Sequence, residues 1–149
     1  YNEKGELCAI GTSKWVLVNI ETGKLTKIEK DLMDKYTLEE KNVFNQKEMD
    51  KLKVPENYIS NIIYKVNRKD IDINNHMHNL YYLDLAYEAL PEDVYNKERP
   101  FNNIRISYKR EIKLGDTVNC KYSKEGNKHI VVIMDKDEKK IHAIIELEK

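Results

Sequence analysis

Cysteine is scarce in this sequence, and long hydrophobic runs are absent from it. The 149 residues include only two cysteines, Cys8 and Cys120, too few for a disulfide framework and without the paired spacing of a structural zinc site. No apolar stretch approaches the roughly 18 residues that a membrane-spanning helix needs. We therefore expect a soluble protein in a reducing compartment, with the cytoplasm as the default location.

An excess of charge of either sign is also missing. Twenty-six Lys and Arg residues balance 26 Asp and Glu residues. Non-specific binding to nucleic acid usually rests on an excess of positive charge, so the composition argues against a nucleic-acid partner. The first residues likewise lack the basic start and apolar segment of a signal peptide. With 40% hydrophobic residues, the chain is long enough to bury a core without disulfides or metals.

Residues 1–28 have the β-forming residues and turn signals of a short meander. The run Trp15–Ile20 is rich in β-formers and lies between turn signals around Gly5 and Gly23. Two or three strands with Trp15 as the one large anchor cannot fold alone, because isolated hairpins are marginal in water. We predict that an upstream segment with a second long helix, or a partner chain, covers the apolar face around Trp15.

Residues 29–57 are rich in Lys and Glu, with isolated apolar residues, and are predicted to be a charged connector. Thr37 and Glu40 have the spacing of a capping box, which predicts a short helix that starts at Leu38. Pro55 is predicted to close the connector.

Residues 58–149 alternate between strand and helix patterns in the order βαββββ. Ile62, Tyr64 and Val66 alternate with polar residues and predict the first strand. Apolar residues then recur at helical spacing, with Asn79 as the predicted N-cap and Pro91 as the stop. Four strands joined by tight turns, and hence antiparallel, are predicted at residues 104–108, 117–122, 129–134 and 141–147. One long helix packed on an antiparallel sheet, an α+β arrangement, resembles the layout of a hotdog domain.

The loop before this helix carries the residues best suited to chemistry. Asp72, Asn74 and His76 occupy every second position, and in an extended backbone such residues project to the same side. The helix N-terminus that follows can polarise a carbonyl oxygen or stabilise an oxyanion. Attack of water on an activated carbonyl fits this set. A polar loop that only makes turns and caps the helix is the alternative.

At these residues the sequence resembles the C-terminal hotdog of acyl-acyl-carrier-protein thioesterases. The resemblance rests on Asp70–Leu90, with its Asp-x-Asp-x-Asn-x-His run, and on the aromatic-basic-Arg-Glu segment that ends at Glu111. Residues 12–28 resemble the end of that family's N-terminal hotdog. The resemblance implies three parts: a truncated N-terminal hotdog at 1–28, a connector at 29–57 and a C-terminal hotdog at 58–149.

The same resemblance implies the activity, which is hydrolysis of fatty acyl-carrier-protein thioesters to free fatty acid and holo carrier, without a cofactor. It also implies four catalytic residues: Asp72, Asn74, His76 and Glu111, the last on the strand that follows. A carboxylate would activate water or attack directly, while Asn74 and His76 orient the thioester and its oxyanion. Ile112 stands where many relatives have Cys, which excludes a Cys/His nucleophile at that position.

Two other functions remain open at this point. One is a hotdog acyl-CoA thioesterase, and the other is a non-catalytic hotdog that binds acyl thioesters. A homodimer also stays open. A binding module has no need of Asp72 and Glu111 together, so the two carboxylates favour an enzyme.

The remaining histidines and the basic residues suggest simpler roles. His76 and His78 could chelate zinc, but no third ligand has convincing spacing, so we predict no metal. His129 and His142 lie on predicted strands and are expected to face solvent. Six basic residues close in sequence to the proposed site form either a solvated surface or a dock for an acidic carrier protein: Arg68, Lys69, Arg105, Lys109, Arg110 and Lys113.

Overall fold

The computed structural model describes residues 1–37, 42–45 and 49–149, which divide into two compact units, Tyr1–Met49 and Asp50–Lys149. The first unit contains a two-stranded antiparallel ribbon, β1 (Leu17–Val18) and β2 (Leu25–Thr26), and a one-turn helix, α1 (Lys30–Met33). The helix predicted to start at Leu38 lies outside the described residues.

The apolar residues of this ribbon are exposed. Trp15 retains 81% of its accessible surface and Ile20 retains 98%. The hairpin turn is closed locally, because the Asn19 side chain accepts hydrogen bonds from the backbone N–H groups of Glu21 and Thr22. The predicted cover over Trp15 stays a prediction.

The second unit is built on a five-stranded sheet in which every neighbouring pair is antiparallel. Its strands are β3 (Ser60–Lys65), β4 (Asn103–Tyr108), β5 (Thr117–Glu125), β6 (Lys128–Asp135) and β7 (Ile141–Glu148), in the order β3-β5-β6-β7-β4. The prediction of a tight turn between β4 and β5 was wrong. β4 pairs with β7 and β5 with β3, so the chain between them crosses from one edge of the sheet toward the other.

Helix α2 (Asn79–Glu88) packs on one face of this sheet, and it is followed by a short helix, α3 (Glu92–Lys97), which the sequence patterns did not predict. The N-cap of α2 is His78 rather than Asn79. The His78 Nδ1 atom accepts a hydrogen bond from the backbone N–H of Leu80, at 3.2 Å. Pro91 lies beyond the end of α2, as expected, and becomes the N-cap of α3 because its fixed φ suits a helix start.

The core lies between α2 and the sheet, where Ala86, Val131, Ile133 and Ile145 are almost fully buried. Burial of each such Val or Ile side chain contributes roughly 1.5–3 kcal/mol.

In β3 the alternation read from the sequence matches the structure, because Ile62 and Tyr64 pack against this core. In α2 the helical spacing of the apolar residues did not identify the buried face, which consists of Tyr82, Leu85 and Ala86, whereas Leu80 is exposed.

A smaller cluster lies on the other face of the sheet. Leu52 and Tyr58 pack against Ile130, Val132 and Ile144 there. The compact unit therefore begins at Asp50, eight residues before the domain start predicted at residue 58.

The two strand histidines are buried, so the expectation that they face solvent was wrong. His129 is fully buried, with its ring nitrogens 2.8 Å from the Tyr122 hydroxyl and 2.9 Å from the Glu98 carboxylate. His142 is 8% exposed, and its Nδ1 atom lies 3.0 Å from the backbone oxygen of Glu111. These hydrogen bonds offset the cost of removing a polar ring from water.

Candidate active site

The loop that carries the predicted catalytic residues is a tight turn, not the extended segment expected from the sequence. The Asp72 N–H donates to the His76 carbonyl at 2.8 Å, and the Asn75 N–H donates to the Asp72 carbonyl at 3.1 Å. Asn75 has φ = 62°, the left-handed region that asparagine tolerates better than most residues. The turn therefore brings Asp72 and His76 together through backbone hydrogen bonds rather than through alternation along a strand.

The Asp72 carboxylate holds this turn closed. Its Oδ1 atom accepts hydrogen bonds from the backbone N–H groups of Asn74, at 2.8 Å, and His76, at 3.2 Å. Partial desolvation acts to raise the pKa of Asp72, but these hydrogen bonds and the nearby His76 outweigh it, so the pKa lies below its usual range. The Asn74 amide nitrogen lies 3.4 Å from Oδ2 of the same carboxylate. Asp72 is therefore ionised at neutral pH and shapes the backbone around Asn74 and His76.

Glu111 lies in the loop after β4, not on a strand as predicted. This loop is fixed to the turn by backbone contacts, because His76 bridges to Lys113 and the Met77 N–H donates to the Ile112 carbonyl at 2.8 Å. Ile112 is fully buried and anchors the loop in the core. The side chain of Glu111 is consequently held next to the turn, although it lies 35 positions after His76 in the sequence.

The contact between His76 and Glu111 is the central feature of the site. The Nε2 atom of His76 lies 2.8 Å from Oε2 of Glu111, and the Nζ atom of Lys113 lies 2.9 Å from Oε1. The hydrogen bond from Lys113 is the main cause that lowers the pKa of Glu111. Partial desolvation acts to raise this pKa, and the nearby His76 lowers it further. Glu111 raises the pKa of Lys113 in turn. Both partners of this ion pair stay charged at neutral pH.

All four predicted residues line one cavity of about 390 Å³. The structure brings together Asp72, Asn74, His76 and Glu111, and it adds six further lining residues: Met77, Asn79, Tyr82, Tyr108, Lys109 and Arg110. Their catalytic roles stay a prediction. A larger cavity of about 930 Å³ borders α2 and α3 and contains none of the four.

Two tyrosines at the site were missed by sequence reasoning. Tyr82 and Tyr108 meet edge to face with ring centroids 5.1 Å apart. Burial raises the pKa of Tyr82 to about 12, and the Tyr108 hydroxyl donates to the Asn79 carbonyl at 3.1 Å. A signal was available, since Tyr82 lies one helical turn after Asn79 and Tyr108 directly precedes the basic pair before Glu111. Both rings form an apolar wall beside the polar turn.

The helix N-terminus next to the site is partly occupied by its own cap. His78 satisfies the N–H of Leu80, so its side chain serves the helix. Within the described ranges, no group of three or more His, Cys, Asp or Glu side chains is arranged to hold a metal ion. None of the helices in that part of the chain is long and apolar enough to cross a membrane.

Comparison with known proteins gives the family. A family model described as the acyl-ACP thioesterase C-terminal domain matches residues 52–149. The chloroplastic oleoyl-acyl carrier protein thioesterase 1 of Arabidopsis thaliana is 31% identical over 125 residues, covering 77% of this chain and 34% of that protein. The chloroplastic oleoyl-acyl carrier protein thioesterase of Coriandrum sativum is 30% identical over 138 residues, covering 85% of this chain and 37% of that protein. The chain thus spans about a third of the length of these curated relatives.

Solved structures agree on the fold. The 12:0-ACP thioesterase from Umbellularia californica superposes with a TM-score of 0.74 at 15% identity, covering 88% of this chain and 52% of that one. An acyl-ACP thioesterase from Bacteroides thetaiotaomicron gives a TM-score of 0.66 at 17% identity, with the same coverage. At these identities the likeness concerns the fold alone, and it confirms the predicted hotdog. Because the family model covers well over half of the sequence, the chain belongs to the acyl-ACP thioesterase family, of which it carries the C-terminal domain.

Proposed function

We propose that this chain supplies the catalytic site of an enzyme that hydrolyses fatty acyl-carrier-protein thioesters to free fatty acid and holo carrier. The observation that carries the proposal is the 2.8 Å contact between His76 and Glu111, in a cavity shared with Asp72 and Asn74. Family membership supports the same reaction. A module that only binds acyl thioesters would gain nothing from two ionised carboxylates at its binding site.

The four residues can divide the chemistry of hydrolysis among them. Water attacks the thioester carbonyl carbon, and the His76–Glu111 pair accepts the proton that the water loses. The Asn74 amide donates to the carbonyl oxygen as it becomes an oxyanion. Collapse of the intermediate breaks the C–S bond, and the pair returns the proton to the departing thiolate. The charge of Asp72 stabilises the positive charge that develops on His76.

The substrate can be tested by following the release of free thiol. We expect faster turnover of acyl-carrier protein than of acyl-CoA at matched chain lengths, using the intact protein. A preference for acyl-CoA would instead identify an acyl-CoA thioesterase, and tight binding without turnover would identify a binding module.

Dialysis against a strong chelator should leave the rate unchanged, because acid-base residues alone suffice for this mechanism.

The acid limb of the pH–rate profile should depend on Lys113. The hydrogen bond from Lys113 lowers the pKa of Glu111, so Lys113→Met should raise that pKa. The reaction needs the ionised carboxylate, and activity should therefore fall off at a higher pH than in the wild type. Lys121→Met is the matched control, because Lys121 pairs with Glu138 at 2.7 Å away from this cavity. An unshifted acid limb in Lys113→Met would contradict the role of Glu111.

Carrier recognition is proposed to rest on Lys109 and Arg110. Both line the cavity, and their charge suits an acidic carrier protein. Reversal of both charges should raise KM for acyl-carrier protein roughly tenfold and flatten its salt dependence, with little change for a small acyl thioester. Lys113 is left unchanged in this test, because it pairs with Glu111. Equal effects on both substrates would indicate a structural role.

A cytoplasmic location and a homodimer stay predictions. Cys8 and Cys120 are both free thiols, as is usual in a reducing compartment. Burial raises the pKa of Cys120 to about 12, so this thiol is an inert core residue.

A further inference from the structure

A buried histidine on β7 holds the loop that carries Glu111. The pairing of β4 with β7 ends at Tyr108 and Ala143, and His142, which precedes Ala143 in the chain, lies just beyond this last pair. The His142 carbonyl accepts hydrogen bonds from the N–H of Lys109, at 2.8 Å, and of Arg110, at 3.2 Å. Its side chain then reaches one residue further, since Nδ1 lies 3.0 Å from the Glu111 carbonyl oxygen. A carbonyl oxygen can only accept, so Nδ1 carries the proton and donates.

His142 is the extra residue of a β-bulge in β7, because Ile133 of β6 pairs with Ala143 and the next residue, Met134, pairs with Ile141. Ala143 and Ile145 belong to the core beneath α2, whereas Ile144 belongs to the cluster on the opposite face. A bulge interrupts the alternation of side chains, so the ring of His142 is placed by its burial and by its contact with Glu111 rather than by its position along the strand. With 8% of its surface exposed, the ring is fixed by its surroundings.

Glu111 is therefore held from both sides. His142 fixes the Glu111 carbonyl, and Met77 fixes the carbonyl of the next residue, Ile112, through a 2.8 Å hydrogen bond. The carboxylate of Glu111 is half exposed and has few packing contacts of its own to hold it. Its meeting with His76 at 2.8 Å depends on where the backbone places its Cα.

We propose that His142 is a positioning residue for Glu111: by donating a hydrogen bond to the Glu111 carbonyl, it sets the backbone position from which the carboxylate reaches His76. The kinetic consequence rests on the proposed thioesterase function, but the positioning itself does not. Among the described residues, His142 is not one that lines the cavity, and its hydrogen bonds to Lys109, Arg110 and Glu111 reach only their backbone atoms, so it acts through the position of Glu111.

Three substitutions separate the hydrogen bond from the bulk of the ring. His142→Asn keeps an N–H donor at the position of Nδ1, His142→Leu places a methyl group there, and His142→Gln moves the donor one methylene further out. His129→Leu is the matched control, because it removes another buried histidine, on β6, whose partners are Tyr122 and Glu98.

The first measurement is the ¹⁵N signals of the His76 ring, which report its hydrogen bond to Glu111 whether or not the chain is active. In His142→Leu and His142→Gln these signals should move toward those of Glu111→Gln. In His142→Asn and His129→Leu they should stay near the wild type. Signals that stay unchanged in both His142→Leu and His142→Gln would overturn the proposal, and so would equal shifts in His129→Leu.

The second measurement is the kinetics of thioester hydrolysis. His142→Leu should lower kcat roughly 10–100-fold with KM within about twofold, because a misplaced catalytic group loses rate rather than affinity. His142→Asn should recover kcat to within about threefold of the wild type. In a Glu111→Gln background, His142→Leu should cause no further loss, whereas additive losses would overturn the proposal. If the wild-type chain hydrolyses no acyl thioester, the proposed function fails, and the ring signals alone decide the positioning.

Discussion

Glu111→Gln and His76→Ala should each lower kcat for acyl-carrier-protein hydrolysis at least about a hundredfold. Glutamine keeps the shape of the side chain but cannot accept a proton, and alanine removes the ring that shares the 2.8 Å contact. Both side chains are substantially exposed, 39% for His76 and 50% for Glu111, so the thermal stability should change little. Steady-state kinetics on folded protein, checked by thermal unfolding, gives the answer. Near-native turnover in both variants would contradict the assignment of the site.

His78→Asn provides the matched control for these variants. His78 lies two residues from His76 and caps α2 through Nδ1. Asparagine is among the preferred N-cap residues, so it should keep the cap and most of the activity. A loss as large as that of His76→Ala would show that the assay reports damage to the loop rather than lost chemistry.

His129→Leu should lower the free energy of unfolding by about 1–3 kcal/mol, the cost of leaving a buried polar group without a partner. The Tyr122 hydroxyl is the group in question, because Tyr122 is only 1% exposed and lies 2.8 Å from Nδ1 of His129. Burial raises the pKa of Tyr122 to about 12, so its hydroxyl is neutral. The ionised Glu98 can only accept a hydrogen bond, so Nε2 of His129 donates to it and Nδ1 accepts from the Tyr122 hydroxyl. Leucine fills a similar volume and leaves little cavity, which isolates the polar effect. Denaturant unfolding measures it.

Lys124→Met serves as the comparison for this stability test. Lys124 forms an exposed ion pair with Glu98 at 3.1 Å, and such pairs contribute at most about 1 kcal/mol. If Lys124→Met and His129→Leu were equally destabilising, the buried hydrogen bonds of His129 would not be the source of the effect.

The dependence of the unfolding free energy on acid pH should also change in His129→Leu. The hydrogen bond from His129 is the main cause that lowers the pKa of Glu98 below its ordinary value of 4.5, followed by that from Lys124. The stabilisation from Glu98 is therefore present above pH 4.5 and is lost as the pH falls through the lower pKa of the folded state. His129→Leu should flatten that part of the decline in unfolding free energy with pH. If the unfolding free energy of His129→Leu falls with pH as steeply as that of the wild type, the hydrogen bond between His129 and Glu98 does not contribute to acid sensitivity.

The strands and the members of the candidate site could be predicted because both are written in short stretches of sequence. The alternation around Ile62 and Tyr64 and the helical spacing after Asn79 are local patterns, and the folded elements follow them. The site residues could be named through the resemblance of the Asp70–Leu90 segment and of the segment that ends at Glu111. The helix α3 was missed because its first turn follows a proline and its apolar residues are few.

The sequence by itself determined the five strands and the long helix of residues 58–149, the family and the candidate site residues, because propensity and motif depend on neighbours within a few positions. Only the tertiary structure decided which strands are neighbours and which polar groups meet. The pairing of β4 with β7 places His142 beside the Glu111 loop, and the two partners of His129 lie on β5 and at the end of α3. The contact of Glu98 with His129 and that of Glu111 with His142 each join residues 31 positions apart. No local sequence pattern carries information over that separation. The approach of His76 to Glu111 has the same origin, because it depends on how the chain crosses the sheet.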